Sequence, residues 1–189
     1  MTRRKRIPKG KKINPAYFVF CEGKTEELYI AYLKSKYRLP ITINSKIAGQ
    51  NISAKYIKNY MKGKFTHPKD KNCLVYDLDD DNILLKLQEI KDVEIIASNP
   101  CFELWYLLHY QEQTSALACD DCCKKLTKHD AKYCKGKIDQ DLKLILDKKQ
   151  FQAINRAKNL SGNRNPSSSV YKIIEDLENV RKDLLKPVP

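Results

Sequence analysis

One arrangement constrains this chain more than any other: short apolar runs that end abruptly, each handing over to a helical pattern. Tyr17-Phe18-Val19-Phe20-Cys21 is aromatic and β-branched, follows the turn signal Asn14-Pro15, and stops at Glu22-Gly23-Lys24. A run this short and this apolar predicts a strand buried on both faces. Thr25 can then cap a helix whose first turn carries Glu26 and Glu27, with Leu28, Tyr29, Tyr32 and Leu33 at helical spacing. The cycle repeats. Residues 41–47 alternate as a strand, 53–61 are helical, 73–78 form a second buried strand, 83–90 are helical, and 93–97 form another strand that Asn99-Pro100 stops. Strands alternating with helices form βαβ units, so the expected class is α/β, a parallel sheet sandwiched by helices.

Beyond residue 100 no strand pattern is visible. Phe102 to Tyr110 is apolar nearly all round and predicts a buried helix. Residues 111–135 mix Cys, Lys and Asp without clear periodicity, while 141–146 and 151–160 look helical. After the turn-rich stretch 161–166, residues 168–185 form a final amphipathic helix on Val170, Ile173, Ile174, Leu177 and Val180. The layout divides into a basic, flexible arm over 1–14, an α/β core over 15–110, and a helical extension over 111–189 packed on that core.

The formal net charge of +13 makes a polyanion the first partner to consider, since neutralising phosphates releases condensed counterions. Much of the surplus sits in the arm, where Arg3, Arg4, Lys5, Arg6, Lys9, Lys11 and Lys12 crowd together. No apolar stretch is long enough to span a bilayer, and no apolar run follows the basic start as in a signal peptide. The expected setting is cytoplasmic, without a membrane partner. Seven cysteines, several of them in apolar runs, are then expected as reduced thiols rather than disulfides.

Acidic groups stand where strands end. Glu22 follows the first buried strand, at the carboxyl edge where open parallel sheets bind ligands. Glu26 lies one helical turn on and can face the same crevice. Gly23-Lys24-Thr25 resembles the end of a phosphate-binding loop, but the earlier glycine such a loop needs is Phe18 here. In Tyr76-Asp77-Leu78-Asp79-Asp80-Asp81, Asp77 and Asp79 are two apart on a strand and should project together. Asp80 or Asp81 falls in the turn and caps the next helix. An isolated Asp-rich turn is more often only a cap. Two acidic groups at the ends of two strands, within a basic chain, favour a divalent cation, and all-oxygen ligands suit Mg²⁺ or Mn²⁺.

A third stretch, Ser98 to Tyr110, places Asn99 after a strand, Glu103 on an apolar helix and His109 near that helix's end. A buried carboxylate needs a partner, so Glu103 is either part of the site or an ion pair bracing it. A histidine near a helix end is more often structural than catalytic. A separate zinc knuckle is conceivable from Cys119-x-x-Cys122-Cys123 with His129 and Cys134, although the second half lacks a clean pair.

The motifs FVFCEGKTEELYI (18–30), LVYDLDDD (74–81), SNPCFELWYLLHY (98–110) and NPSSSVYKIIEDL (165–177) together resemble the RloB-like family, small proteins with a Toprim-type core linked to bacterial anti-phage defence. The resemblance implies a Toprim-like sheet over 15–110, with Glu22 in the place of the Toprim glutamate and Asp77 and Asp79 on the paired metal-binding aspartates. Glu26 is similar to a second acidic position in OLD-type nucleases, which use two metals. It also implies a neighbouring AAA-type ATPase as partner. Toprim domains serve primases, topoisomerases and ribonucleases as well, so the fold leaves the reaction open.

The expected function is divalent-metal-dependent hydrolysis of DNA or RNA. Glu22, Asp77 and Asp79 are catalytic, and with Glu26 they hold the metal. Asp81, Asn99, Glu103 and His109 support the site, while Lys24 and the arm bind phosphates. The rival is a non-catalytic module with the same core that binds nucleic acid or the ATPase.

Overall fold

The side of burial alternates along β1 (Ala16–Cys21), and the alternation decides the layering. In a computed structural model that describes residues 14–160 and 162–185, without the Asp81 side chain, all six residues of β1 are buried. Tyr17, Val19 and Cys21 enter one core, and Ala16, Phe18 and Phe20 enter the other. This follows from the two-residue period of a strand that has helices on both faces. β3 (Lys71–Asp77) repeats the pattern, with Cys73 and Val75 on one side and Leu74 and Tyr76 on the other.

The sheet has the order β2-β1-β3-β4-β5, where β2 is Thr42–Ile47, β4 is Glu94–Asn99 and β5 is Ser167–Ser168. The first four strands are parallel. β2 is an edge strand whose only buried side chain is Ile43. Helix α1 (Lys24–Tyr37) packs on the larger core, while α2 (Ala54–Met61) and α3 (Asp81–Gln88) cover the opposite face. The protein is therefore mixed α/β, with a mostly parallel five-stranded sheet flanked by helices.

α4 (Glu103–Tyr110) is buried from Glu103 through His109. Tyr29 of α1 meets Phe102, Trp105 and Tyr106 edge to face, which locks α1 against α4. α5 (Cys119–His129), α6 (Gln140–Lys148) and α7 (Gln150–Lys158) surround α4 and share its core through Cys122, Leu126, Leu142, Leu146, Ala153 and Ala157. α5 lies in the stretch without visible periodicity. Only Cys122 and Leu126 of its residues are fully buried, too few to write an apolar stripe.

The strand signal does not end at residue 100. β5 (Ser167–Ser168) pairs antiparallel with β4, Ser98 and Ser168 share a hydroxyl hydrogen bond of 3.0 Å, and the Ser169 N–H donates to the Ala97 carbonyl. Consequently α8 spans Tyr171–Leu185 and starts three residues later than the expected Ser168. Among the described residues no helix is long and apolar enough to cross a membrane.

Candidate metal-binding and active site

The parallel register places Cys21 beside Val75, so the first residue past β1 lies beside the last residues of β3. The Glu22 N–H donates to the Val75 carbonyl (3.0 Å), and Glu22 Oε2 accepts from the Asp77 N–H (2.8 Å). Two sequence-distant acidic residues, Glu22 and Asp77, thus meet at the carboxyl edge of adjacent central strands, side chain on backbone amide. Gly23 caps α1, and the helix begins at Lys24, earlier than expected. The Glu26 carboxylate turns back to accept from the Gly23 N–H (3.0 Å). A Cβ at position 23 would lie 3.1 Å from Glu26 Oε2, so glycine leaves room for this buried carboxylate.

Asp77 is the most perturbed member. Its carboxyl is pushed up to about 9 by burial first, then by Glu26, Glu22 and Glu103, with Lys135 opposing. One of its oxygens, Oδ1, has no hydrogen-bond partner among the described residues. Burial also raises Glu22; its bond from the Asp77 N–H opposes that, and Asp79 adds to the rise. Glu26 is raised by burial, opposed by backbone N–H groups, and raised further by Glu103 and Glu22. Like charges so close disfavour one another's ionisation, which holds protons on the cluster.

An all-oxygen donor set with an unpartnered buried carboxylate oxygen fits a hard divalent cation. The four expected ligands are not drawn tightly together, however. Among the described residues, no three of Glu22, Glu26, Asp77 and Asp79 bring oxygens within 4.8 Å of one another. The reason is local: Glu22 and Glu26 are each turned onto a backbone amide. Asp79 differs from the expected strand placement. β3 ends at Asp77, and Asp79 follows in an exposed bend, from where its charge still reaches Glu22. Asp80 caps α3 by accepting from the Asn82 N–H (2.8 Å). The side chain of Asp81, and the arm residues Arg3, Arg4, Lys5 and Arg6, lie outside the described residues.

Thr25 and Glu103 join α1 to α4 beneath this edge. Glu103 is fully buried and accepts from the Thr25 hydroxyl (3.5 Å) and the Tyr133 hydroxyl (3.1 Å). Lys135 Nζ pairs with Glu103 Oε2 at 3.5 Å, and the Gly136 N–H donates to the Thr25 hydroxyl. Glu103 is thus an ion-paired brace next to the carboxylates. Lys135 is the cation that opposes the raised pKa of both Glu22 and Asp77. Burial works against its own charge, but Glu103 and the neighbouring acids hold its pKa above the ordinary lysine value. Sequence reasoning missed Lys135 and Tyr133, which come from the stretch without a motif; nothing marks one lysine among 36 basic residues.

The other expected residues stand apart from this cluster. His109 is buried, bonds the Trp105 carbonyl through Nδ1 (2.9 Å), and is held neutral at about 4 by burial. The charges acting on it are Lys36 and Arg156 rather than the carboxylates. Asn99, at the end of β4, donates to the Asn163 carbonyl (2.9 Å). Lys24 is exposed and pairs with Glu27 (2.8 Å). The rival zinc knuckle is not assembled: Cys134 is exposed, and His129 stacks on Tyr110 and meets Gln111. A cleft of about 290 Å³ opens beside Glu22, lined by Gln50, Tyr76, Asp80, Asn82 and Lys86.

Fold and site together define a mixed α/β protein with a carboxylate-rich edge on a mostly parallel sheet. The family model described as "RloB-like protein" matches residues 17–177, and the chain belongs to that family. Among solved structures, the C-terminal region of the Burkholderia pseudomallei OLD protein is similar, with 16% identity and a TM-score of 0.37; the match covers 89% of this chain and 98% of that one. No curated protein matches the chain.

Proposed function

We propose that this chain is a Toprim-type nuclease of bacterial anti-phage defence that hydrolyses phosphodiesters of DNA or RNA with Mg²⁺ or Mn²⁺. The observation that carries the reading is Asp77, a carboxyl with an unpartnered oxygen crowded by Glu22 and Glu26 at the carboxyl edge of the sheet. Glu22, Glu26, Asp77 and Asp79 would hold the metal. A bound divalent ion supplies an acidified water and charge stabilisation at the leaving oxygen.

The chain's own groups do the rest. Glu22 Oε2 is engaged by the Asp77 N–H, which leaves Oε1 to take a proton, and burial raises its affinity for one. Lys135, more than half exposed and still electrostatically tied to Asp77, is available to a substrate phosphate. The basic arm adds sequence-independent attraction. An AAA-type ATPase is proposed as partner, and the cytoplasm as the setting.

Mn²⁺ is offered to purified protein with DNA, tRNA and other RNA, with and without EDTA. Metal-dependent cleavage lost in Asp77→Ala and Glu22→Ala supports the assignment, and cleavage that persists in either variant sinks it. The amide-bound state of Glu22 and Glu26 favours one alternative, a non-catalytic module binding nucleic acid or the ATPase. That reading expects binding unchanged by Mn²⁺ and by Asp77→Ala, with no cleavage when the ATPase is added.

A further inference from the structure

The Cys119-x-x-Cys122 pair on α5 finds its missing half on α4. Cys101 and Glu103 stand two residues apart at the start of α4, and α5 packs beside them. The Cys101 and Cys119 sulfurs and a Glu103 carboxylate oxygen all lie within 4.8 Å of one another, which makes them the one such group of potential metal ligands among the described residues. Cys122 is one turn beyond Cys119 on the same face of α5, fully buried in the core that also holds Cys101. A second observation points to a ligand: Glu103 is fully buried, yet its Oε2 has no hydrogen-bond partner and meets only the Lys135 ammonium, at 3.5 Å.

We infer that Cys101, Glu103, Cys119 and Cys122 form a Zn²⁺ site, distinct from the carboxylate edge and from a knuckle that would join Cys119, Cys122 and Cys123 to His129 and Cys134. Thiolates with one carboxylate suit zinc and disfavour Mg²⁺. The ligand atoms of Cys101, Glu103 and Cys119, within 4.8 Å of one another, need only a modest contraction to surround an ion with Zn–S bonds of about 2.3 Å, and Cys122, one turn on from Cys119, supplies the fourth ligand. Each binding thiol releases its proton to solvent, so uptake is favoured by rising pH. Cys119 is only half-buried, which leaves a route for the ion, and the partly exposed Lys135 can swing away from Glu103 as zinc takes its place. The site ties α5 to α4 through Glu103, whose charge reaches Asp77, so zinc would brace the candidate active site without taking part in its chemistry.

The test uses the full chain and reads metal, not cleavage. Metal analysis after expression with added zinc should find one Zn²⁺ per chain. Replacement by Co²⁺ should give the intense sulfur-to-cobalt absorption of a thiolate site. Cys119→Ser, on the half-buried helix face, should cut that absorption by about a third, from three thiolates to two, and weaken zinc binding at least about tenfold. Glu103→Gln should weaken zinc binding while keeping the sulfur-to-cobalt band, and Cys134→Ser and Asp77→Asn should change neither. A wild-type spectrum without the sulfur-to-cobalt band overturns the site, as does a band lost in Cys134→Ser but kept in Cys119→Ser. Neither result touches the Mn²⁺ reading of the carboxylate edge, which Asp77→Ala tests separately.

Discussion

The backbone N–H of Asp77 donates to Glu22 Oε2 over 2.8 Å, so the last residue of β3 aims the carboxylate that follows β1. Fifty-five residues of chain separate the two, and only the parallel register of β1 on β3 makes them neighbours. Because Glu22 is the acceptor and the backbone the donor, the charge of Glu22 and its positioning role can be separated by substitution.

Glu22→Gln keeps an acceptor oxygen for the Asp77 N–H and should fold with nearly unchanged stability. Its metal-dependent cleavage should fall by roughly 10²-fold or more, as for loss of a proton-transferring group. Glu22→Ala orphans the amide and should cost about 1–3 kcal/mol in addition. Urea denaturation beside a Mn²⁺ cleavage assay checks both.

Asp77 sets a pH dependence. Its carboxyl is raised from 3.8 to about 9, so the folded chain keeps a proton there that the unfolded chain releases. The stability linked to that proton is complete below about pH 4 and is lost as pH rises towards about 9. In EDTA the thermal midpoint of the wild type should therefore decline across this window, and Asp77→Asn should flatten the decline. Mn²⁺ should restore stability most at the alkaline end, where the carboxylate is ionised. Melting curves from pH 5 to 9 decide it; a wild-type decline that Asp77→Asn leaves intact assigns the effect elsewhere.

Lys135 balances Glu103. Lys135→Met leaves the buried carboxylate without its cation and should destabilise the fold by about 1–2 kcal/mol, less than a fully buried pair because the ammonium is exposed. Adding Glu103→Gln should recover most of that loss. A double-mutant cycle measured by denaturant unfolding gives the coupling, and additive losses would show that the pair contributes nothing.

The basic arm should govern affinity for nucleic acid without governing chemistry. Deleting residues 2–12 removes Arg3, Arg4, Lys5, Arg6, Lys9, Lys11 and Lys12. Binding should weaken similarly across sequences, and the slope of log affinity against log salt should drop by about 0.9 for each duplex phosphate that the arm neutralises. Fluorescence anisotropy over a KCl series reads the slope. An unchanged slope places the phosphate-binding groups on the folded body.

Much of the sheet was legible because its strands are buried on both faces. Tyr17 to Cys21 and the apolar part of the 73–78 run, Cys73 to Tyr76, announce themselves, and parallel pairing follows from the helices between them. β5 was illegible, since serines carry no apolar pattern, and Ser167 and Ser168 become a strand only through hydroxyl and backbone bonds that they and Ser169 make to β4. α5 was hidden for a similar reason: two buried residues make no stripe. Thr25 looked like a cap and is instead a buried link between Glu103 and Gly136, because Gly23, with Glu26 folded back on it, already starts the helix.

By itself the sequence determined the mixed α/β class, the buried strands that lead into Glu22 and into the Asp77 acidic run, and the basic balance of the chain, since each of these is written in local pattern or composition. Only the tertiary structure decided that Glu22 rests on the Asp77 amide, that Glu103 pairs with Lys135, and that Cys101 stands beside Cys119. Those pairings join segments far apart in the chain. Local pattern can say that a residue is buried or charged, but which partner it meets depends on strand register and helix packing, and these exist only once the whole core has formed.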